Sequence, residues 1–250
     1  MQIKNSIALV TGANRGLGKA YVQALLAAGA AKVYAGARNV ADISETDERV
    51  VAIKLDVTSQ SDVDAAVAKC TDLTVLINNA GIMYETKLLE NDAIDHFRKE
   101  FEVNAIGLLR MSQAFAPILK NNGGGAIANM LSVVSWFVYP YNATYCASKH
   151  AALGVTDGLR VQLKSQGTHV TAVYAGFIDT DMAAKASAPK TTPRQVAEKT
   201  LEGIEKSLDH VHADEQSEGY WAQLQQDRGL SKAMQEVWDS GASAFATSNV

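Results

Sequence analysis

Cysteine is scarce in this chain: two residues in 250, Cys70 and Cys146. They form no CxxC pair and no histidine cluster gives them ligand spacing, so no disulfide framework and no metal site is expected. Cys146 adjoins Tyr145, where a reactive thiol is conceivable, but a small buried residue is the favoured reading. An excess of positive charge is lacking too. The 23 basic and 27 acidic residues leave a net charge of −4 with no basic stripe, which argues against a nucleic-acid partner. No apolar run approaches the ~18 residues that span a bilayer. The opening "MQIKNSIALV" runs directly into a strand-like segment, without a signal-peptide pattern. A cytoplasmic protein with no membrane partner is expected. Linkers, low-complexity tracts and internal repeats are also missing, so one domain over residues 1–240 is the simplest account.

What is present is an alternation of strand-like and helix-like segments. Short apolar runs stand at 6–12, 31–37, 50–57, 73–79, 125–131 and 169–175. Helical patterns fill 17–30, 59–70, 87–119 (one or two helices), 142–165 and 193–208 between and after them. Parallel strands buried on both faces read as near-continuous apolar runs, and strand–helix alternation implies crossover helices. The expected class is α/β: a single doubly wound parallel sheet with helices on both faces. The last stretch, 241–250, is small and polar around one Phe and reads as a flexible tail.

Ligands of such sheets bind beyond the carboxyl ends of the strands, and those positions carry a pattern. After the first strand comes "TGANRGLG", 11–18, with Gly12, Gly16 and Gly18. The spacing differs from GxGxxG, yet its logic is the same: a tight turn, a close backbone approach, and free N–H groups at a helix start facing an anion. Arg38 follows the second strand, Asp56-Val57 the third, "NNAG" (78–81) the fourth, Ser132 the fifth and "AGFIDT" (175–180) the sixth. An arginine after the second strand suits the extra phosphate of NADP, where an acid would suit NAD. Tyr145 and Lys149 lie four apart in a helical pattern, hence on one face. A lysine ammonium about 4 Å from a phenol is of the right order to bring it towards neutral pH at an effective dielectric of about 20.

As an ordered set, "TGANRGLG", Asp56-Val57, "NNAG", Asn104 in "FEVNAIG", Ser132 and "YCASK" (145–149) resemble the short-chain dehydrogenase/reductase family, over about residues 6–180. The resemblance implies a Rossmann-like fold and a catalytic set of Asn104, Ser132, Tyr145 and Lys149. It also implies a nicotinamide cofactor held by Gly12, Asn14, Arg15, Gly16, Leu17, Gly18, Arg38, Asp56, Val57, Asn79, Ala80, Gly81, Tyr145, Lys149, Gly176, Ile178 and Thr180. With Arg15 and Arg38 beside the adenosine 2′-position, NADP(H) is the expected cofactor. Ser132 would polarise a carbonyl, and Asn104 would hold a water towards Lys149. Met83, Val134, Trp136, Tyr139 and Phe177, with a mobile loop from Ile178 to Pro193, would line an apolar substrate pocket, or else be core. The expected activity is reduction of a small apolar ketone or aldehyde, or oxidation of the matching alcohol. A non-catalytic NADP-binding sensor and a reductase of carrier-bound β-ketoacyl groups are the alternatives.

Two departures from the family pattern stand out. Ala175-Gly176 replaces the usual Pro-Gly, which should loosen that turn. The usual glycine-rich ending is absent, which puts the common tetramer in doubt. A homodimer or homotetramer paired through 87–119 and 142–165, where Ala105, Gly107, Ala151, Ala152 and Gly154 allow close approach, is expected.

Overall fold

A computed structural model describes residues 1–227 and 231–241; the tail expected at 241–250 lies, beyond Gly241, outside them. The strands are β1 (Ile7–Thr11), β2 (Lys32–Ala37), β3 (Val50–Lys54), β4 (Val75–Asn78), β5 (Gly125–Met130), β6 (Thr168–Tyr174) and β7 (His210–His212). All seven run parallel in one sheet of order β3-β2-β1-β4-β5-β6-β7. The order reverses between β1 and β4, so a crevice opens beyond their carboxyl ends.

The helices are α1 (Gly16–Ala27), α2 (Gln60–Lys69), α3 (Ala93–Phe101), α4 (Leu108–Asn121), α5 (Ala143–Leu163), α6 (Pro193–Glu205), α7 (Glu215–Leu224) and α8 (Ser231–Ser240). Alternate residues of each strand feed two cores, as the period of a strand requires. Ala8 and Val10 pack with Tyr21, Leu25, Leu201 and Ile204 of α1 and α6. Leu9, Leu76 and Ile127 pack with Met111, Phe115 and Leu159 of α4 and α5. Each such fully buried aliphatic side chain contributes about 1.5–3 kcal/mol. A polar strand pair, Asn78 and Asn129, is aligned between β4 and β5, and its amides continue to Ser112 and Thr156.

One expected boundary is corrected, and two features are added. Residues 87–92 form turns, and the helix begins at Ala93 because Glu90 and Asp92 cap its entry through backbone bonds. From there α3 and α4 run as one rod to Asn121, joined by a π-helical turn, Glu102–Gly107, that contains Asn104. Pro117 sits inside α4 without ending it. Beyond residue 208 stand β7, α7 and α8, which the sequence pattern did not announce.

Candidate active site

A cleft of about 1130 Å³ lies over the carboxyl ends of the strands. One end is built on the glycine turn. Gly12 and Gly16 adopt φ of +66° and +51°, a left-handed region that favours glycine. A Cβ on Gly18 would stand 1.9 Å from the Gly12 carbonyl oxygen, so helix and turn are in backbone contact. Helix α1 starts at Gly16 with no side-chain cap and no acid in its first turn. Its leading N–H groups and positive dipole end therefore suit an anion. The turn is held from behind: Asn79 Nδ2 donates to the Thr11 oxygen (2.9 Å) and the Gly12 oxygen (3.3 Å). Thr11 Oγ1 accepts from the Asn79 and Ala80 N–H groups, both at 2.9 Å. Thr11 is thus a supporting residue that the motif reading passed over.

Asn14, Arg15, Leu17, Arg38, Asp56, Val57, Asn79, Ala80 and Gly81 all border this part of the cleft, and Gly176, Ile178 and Thr180 face them from the loop after β6. Asp56 is fixed by accepting from the Thr58 N–H (2.9 Å) and hydroxyl (2.7 Å). Arg38 is exposed at the end of β2. Arg15 instead pairs with Asp181 on the opposite wall. Asp42, which follows in the next turn, also borders the cleft and accepts from Asn39 Nδ2. The cleft beside Arg38 thus holds a carboxylate.

Ser132, Tyr145 and Lys149 open on the middle of the cleft. Ser132 caps a short 3-10 turn, Val133–Ser135, and its hydroxyl faces the Tyr145 side chain. Lys149 is 5% exposed; its ammonium donates to the Met130 oxygen at 2.9 Å and lies 5.7 Å from the Tyr145 ring centre. Burial lowers Lys149 to about 8. Burial also pushes Tyr145 above its ordinary value, against the influence of the Ser132 hydroxyl. Burial is thus the largest influence on the phenol. Both groups are desolvated, and desolvation favours the neutral form of each.

Asn104 lies behind the cleft, not on it. Its Oδ1 accepts from the Ile82 N–H, and its Nδ2 donates to the Ile82 oxygen and Ser148 Oγ, all at 2.9 Å. Its side chain is thus fully engaged by the protein. A Cβ on Gly81 would stand 3.2 Å from Asn104 Oδ1 and 3.9 Å from Lys149 Nζ, which puts both groups beside one glycine.

The other end of the cleft is apolar and aromatic: Met83, Val134, Phe137, Tyr139, Phe177 and Tyr220 border it. Trp136 does not. Its ring is tilted against Tyr174 and Trp221, with centres 4.2 Å and 5.2 Å away, because the 3-10 turn after Ser132 carries it away from the cleft; of the two readings, wall or core, it takes the core. Cys146 is buried, donates to Asn142 Oδ1 (3.2 Å) and is pushed up to about 12 by burial, a packed thiol and not a nucleophile. Residues 177–192 form a loop closed at its base by a bridge between Ile178 and Thr191. Lys185 pairs with Glu85 (3.9 Å), Lys190 donates to the Ala184 oxygen (3.4 Å), and Gln216 Nε2 donates to the Pro189 oxygen (2.6 Å). The turn without its proline is held as well: Asp214 accepts from the Gly176 N–H (2.9 Å) and Gln216 from the Phe177 N–H (3.4 Å). Helix α7 thus supplies what Ala175 does not. Its start was readable as Asp214 followed at the third position by Ser217, which form a reciprocal cap.

The short chain dehydrogenase family model matches residues 6–191. A short chain dehydrogenase from Burkholderia cenocepacia J2315, solved in complex with NADP, is 39% identical, with a TM-score of 0.89 over 93% of this chain and 98% of that one. A 3-oxoacyl-[acyl-carrier-protein] reductase from Synechocystis sp. is 33% identical over 70% of this chain and 75% of its own length. A 3alpha-hydroxysteroid dehydrogenase from Mediterraneibacter gnavus is 33% identical over 74% and 78%. With the parallel sheet, the glycine turn and the match over residues 6–191, the chain belongs to the short-chain dehydrogenase family of oxidoreductases.

Proposed function

We propose that this oxidoreductase is an NADP(H)-dependent carbonyl reductase, or alcohol dehydrogenase in the reverse direction, that uses Tyr145 as general acid and base. The observation that carries the reading is that Ser132, Tyr145 and Lys149 open on the same cleft as the glycine turn. The residues fit a dinucleotide phosphate. The positive-φ glycines and the uncapped start of α1 suit the pyrophosphate, and Arg15 and Arg38 border the adenosine end. Planar guanidinium groups suit a terminal phosphate. The similarity at 39% to a dehydrogenase in complex with NADP supports that cofactor.

When bound, the nicotinamide supplies or takes up the hydride and, when oxidised, brings a positive charge to the cleft. The chain's own residues handle the proton. Tyr145 gives its hydroxyl proton to the carbonyl oxygen of the substrate, and Ser132 hydrogen-bonds that oxygen and polarises it. Lys149, lowered by burial to about 8, can release a proton near neutral pH and so restores the phenol. Asn104 acts indirectly, by fixing Ile82 and Ser148 on either side of the pair.

The substrate is proposed to be a small apolar ketone or aldehyde. The substrate end is lined by Met83, Phe137, Tyr139 and Tyr220, with Glu215 at its border. Lys185 and Lys190, the cations of the covering loop, are engaged by Glu85 and Ala184. A carrier-bound or carboxylated substrate would need a free cation there. The resemblance to a hydroxysteroid dehydrogenase agrees with an apolar alcohol, and that to a 3-oxoacyl reductase keeps a short β-ketoacyl group as the competing reading. A pure sensor would have no need of the proton-handling set. The test is NADPH absorbance over a panel of alkyl, aryl and steroid ketones and a β-ketoacyl thioester. Oxidation of NADPH by the uncharged ketones supports the proposal. Turnover of the thioester alone would replace it with the β-ketoacyl reading.

A further inference from the structure

Glu100 is a buried ionisable group that the reaction above leaves unused. It is 0% exposed on α3, one helical turn ahead of Asn104. The Asn104 contacts form a rung: the Ile82 backbone on one side, Ser148 of α5 on the other, with Ser148 Oγ donating on to the Tyr145 backbone carbonyl at 2.7 Å. Four residues earlier on the same face, the pattern repeats in part. Glu100 Oε1 accepts from the Tyr84 N–H at 2.6 Å. The Thr144 hydroxyl of α5 faces the carboxyl, but Glu100 Oε2 and Thr144 Oγ1 are each buried without a hydrogen-bond partner. Met83 lies between residues 82 and 84 and borders the cleft, as Ile82 does. Residues 144 and 148 are one helical turn apart, and each is followed directly by a member of the proton-handling pair, Tyr145 and Lys149.

We propose that Glu100 is a positioning residue for Tyr145: bonded to the Tyr84 N–H and set against Thr144, it holds the helix just before the phenol and the Met83 wall, as Asn104 holds Ser148 just before Lys149. The proposal rests on the reading of Tyr145 as the proton donor. The carboxyl also carries a charge effect. Tyr84 of the neighbouring segment, His96 of α3, and Tyr145 and Cys146 of α5 are the titratable groups around the carboxyl. Burial raises Glu100 above the ordinary carboxylate range, against the Tyr84 N–H bond. An ionised Glu100 in turn raises Tyr145, because a nearby like charge opposes the phenolate.

Two variants separate shape from charge. Glu100→Gln keeps an oxygen for the Tyr84 N–H and removes the charge; Glu100→Ala removes both. With the holoenzyme, Glu100→Ala should lower kcat by roughly 10- to 100-fold, the order that a displaced reacting group costs, while NADPH binding by nucleotide fluorescence stays as in wild type. Glu100→Gln should recover most of kcat and move the Tyr145 limb of the kcat/KM profile to lower pH. Tyrosinate absorbance, taken as the difference from the matching Tyr145→Phe protein, reads the same displacement without turnover. The proposal is therefore tested even if the substrate class is wrong, and an inert Tyr145→Phe difference would count against the catalytic reading instead. Wild-type kcat in Glu100→Ala, or a Tyr145 titration unmoved in Glu100→Gln, overturns the proposal. If Glu100→Ala fails to fold, the Gln titration decides alone.

Discussion

Lys149→Met should cost all proton transfer through this lysine and yet leave the fold intact, with a pH signature that identifies the group. Lys149 is 5% exposed, and burial lowers its pKa from 10.5 to about 8. That drop corresponds to roughly 3 kcal/mol spent on keeping the ammonium in the folded protein at neutral pH. Its 2.9 Å bond to the Met130 oxygen works the other way, since removing the donor leaves a buried carbonyl unpaired at about 1–3 kcal/mol. The substitution should therefore be close to neutral, or stabilising by up to about 2 kcal/mol, near pH 7. The sign at higher pH follows from linkage. The folded-state pKa lies below the unfolded one, so between about 8 and 10.5 the unfolded chain binds the extra proton, and wild-type stability rises with pH. Across that window wild type should gain roughly 3 kcal/mol on the Met variant. Urea unfolding of both proteins, followed by tryptophan fluorescence at about pH 7 and about pH 10, measures the difference. A stability difference that does not change between the two conditions would refute the burial argument.

Three further outcomes follow. Arg38→Asp should shift the ratio of kcat/KM values from NADPH towards NADH. Loss of a charge-assisted contact of about 1.5–3 kcal/mol predicts at least a tenfold change, and an unchanged ratio would show that Arg38 does not meet the 2′-phosphate. Asp214→Ala removes both the cap of α7 and the partner of the Gly176 N–H. It should destabilise by about 2 kcal/mol, and a thermal midpoint within one degree or so of wild type would reject the view that α7 holds the turn after β6. Self-association through α3 and α5 should give at least a dimer by light scattering at micromolar concentration. Ile94 and Val161 are 66% and 77% exposed there, and a Cβ on Gly154 or Gly158 would meet nothing within 4 Å. Gly154→Trp should then give a monomer, and a monomeric wild type would end the proposal.

The sheet was legible because its inner strands are buried on both faces and, like the edge strand β3, read as largely apolar runs. The seventh, His210–His212, is three residues long with two histidines, and no periodicity reveals it. The rod from Ala93 to Asn121 was legible as helix, but not its π-helical turn, which local propensity does not encode. Among the small residues proposed to admit a partner, Ala105, Gly107 and Ala152 are buried in the chain's own core, and a Cβ on Gly107 would stand 2.8 Å from Val57; composition alone does not tell an inner face from an outer one. At the site, every residue named for cofactor contact borders the cleft, because the ends of parallel strands converge there by topology. Side-chain direction was less legible. Trp136 follows Ser132 by four residues, and only the 3-10 turn between them decides that it points to Trp221. The pairing of Arg15 with Asp181 joins residues 166 apart, and the anchoring of the turn after β6 depends on Asp214 and Gln216 of a helix that has no strong pattern of its own.

The central claim is that Tyr145 moves the proton. Its most direct test is steady-state ketone reduction by Tyr145→Phe, with NADPH binding measured on the same preparation. The account predicts unchanged cofactor affinity and a fall in kcat of about 10²–10⁴-fold, the range that a general acid contributes. A Tyr145→Phe enzyme that binds NADPH normally and keeps more than about half of wild-type turnover would contradict it.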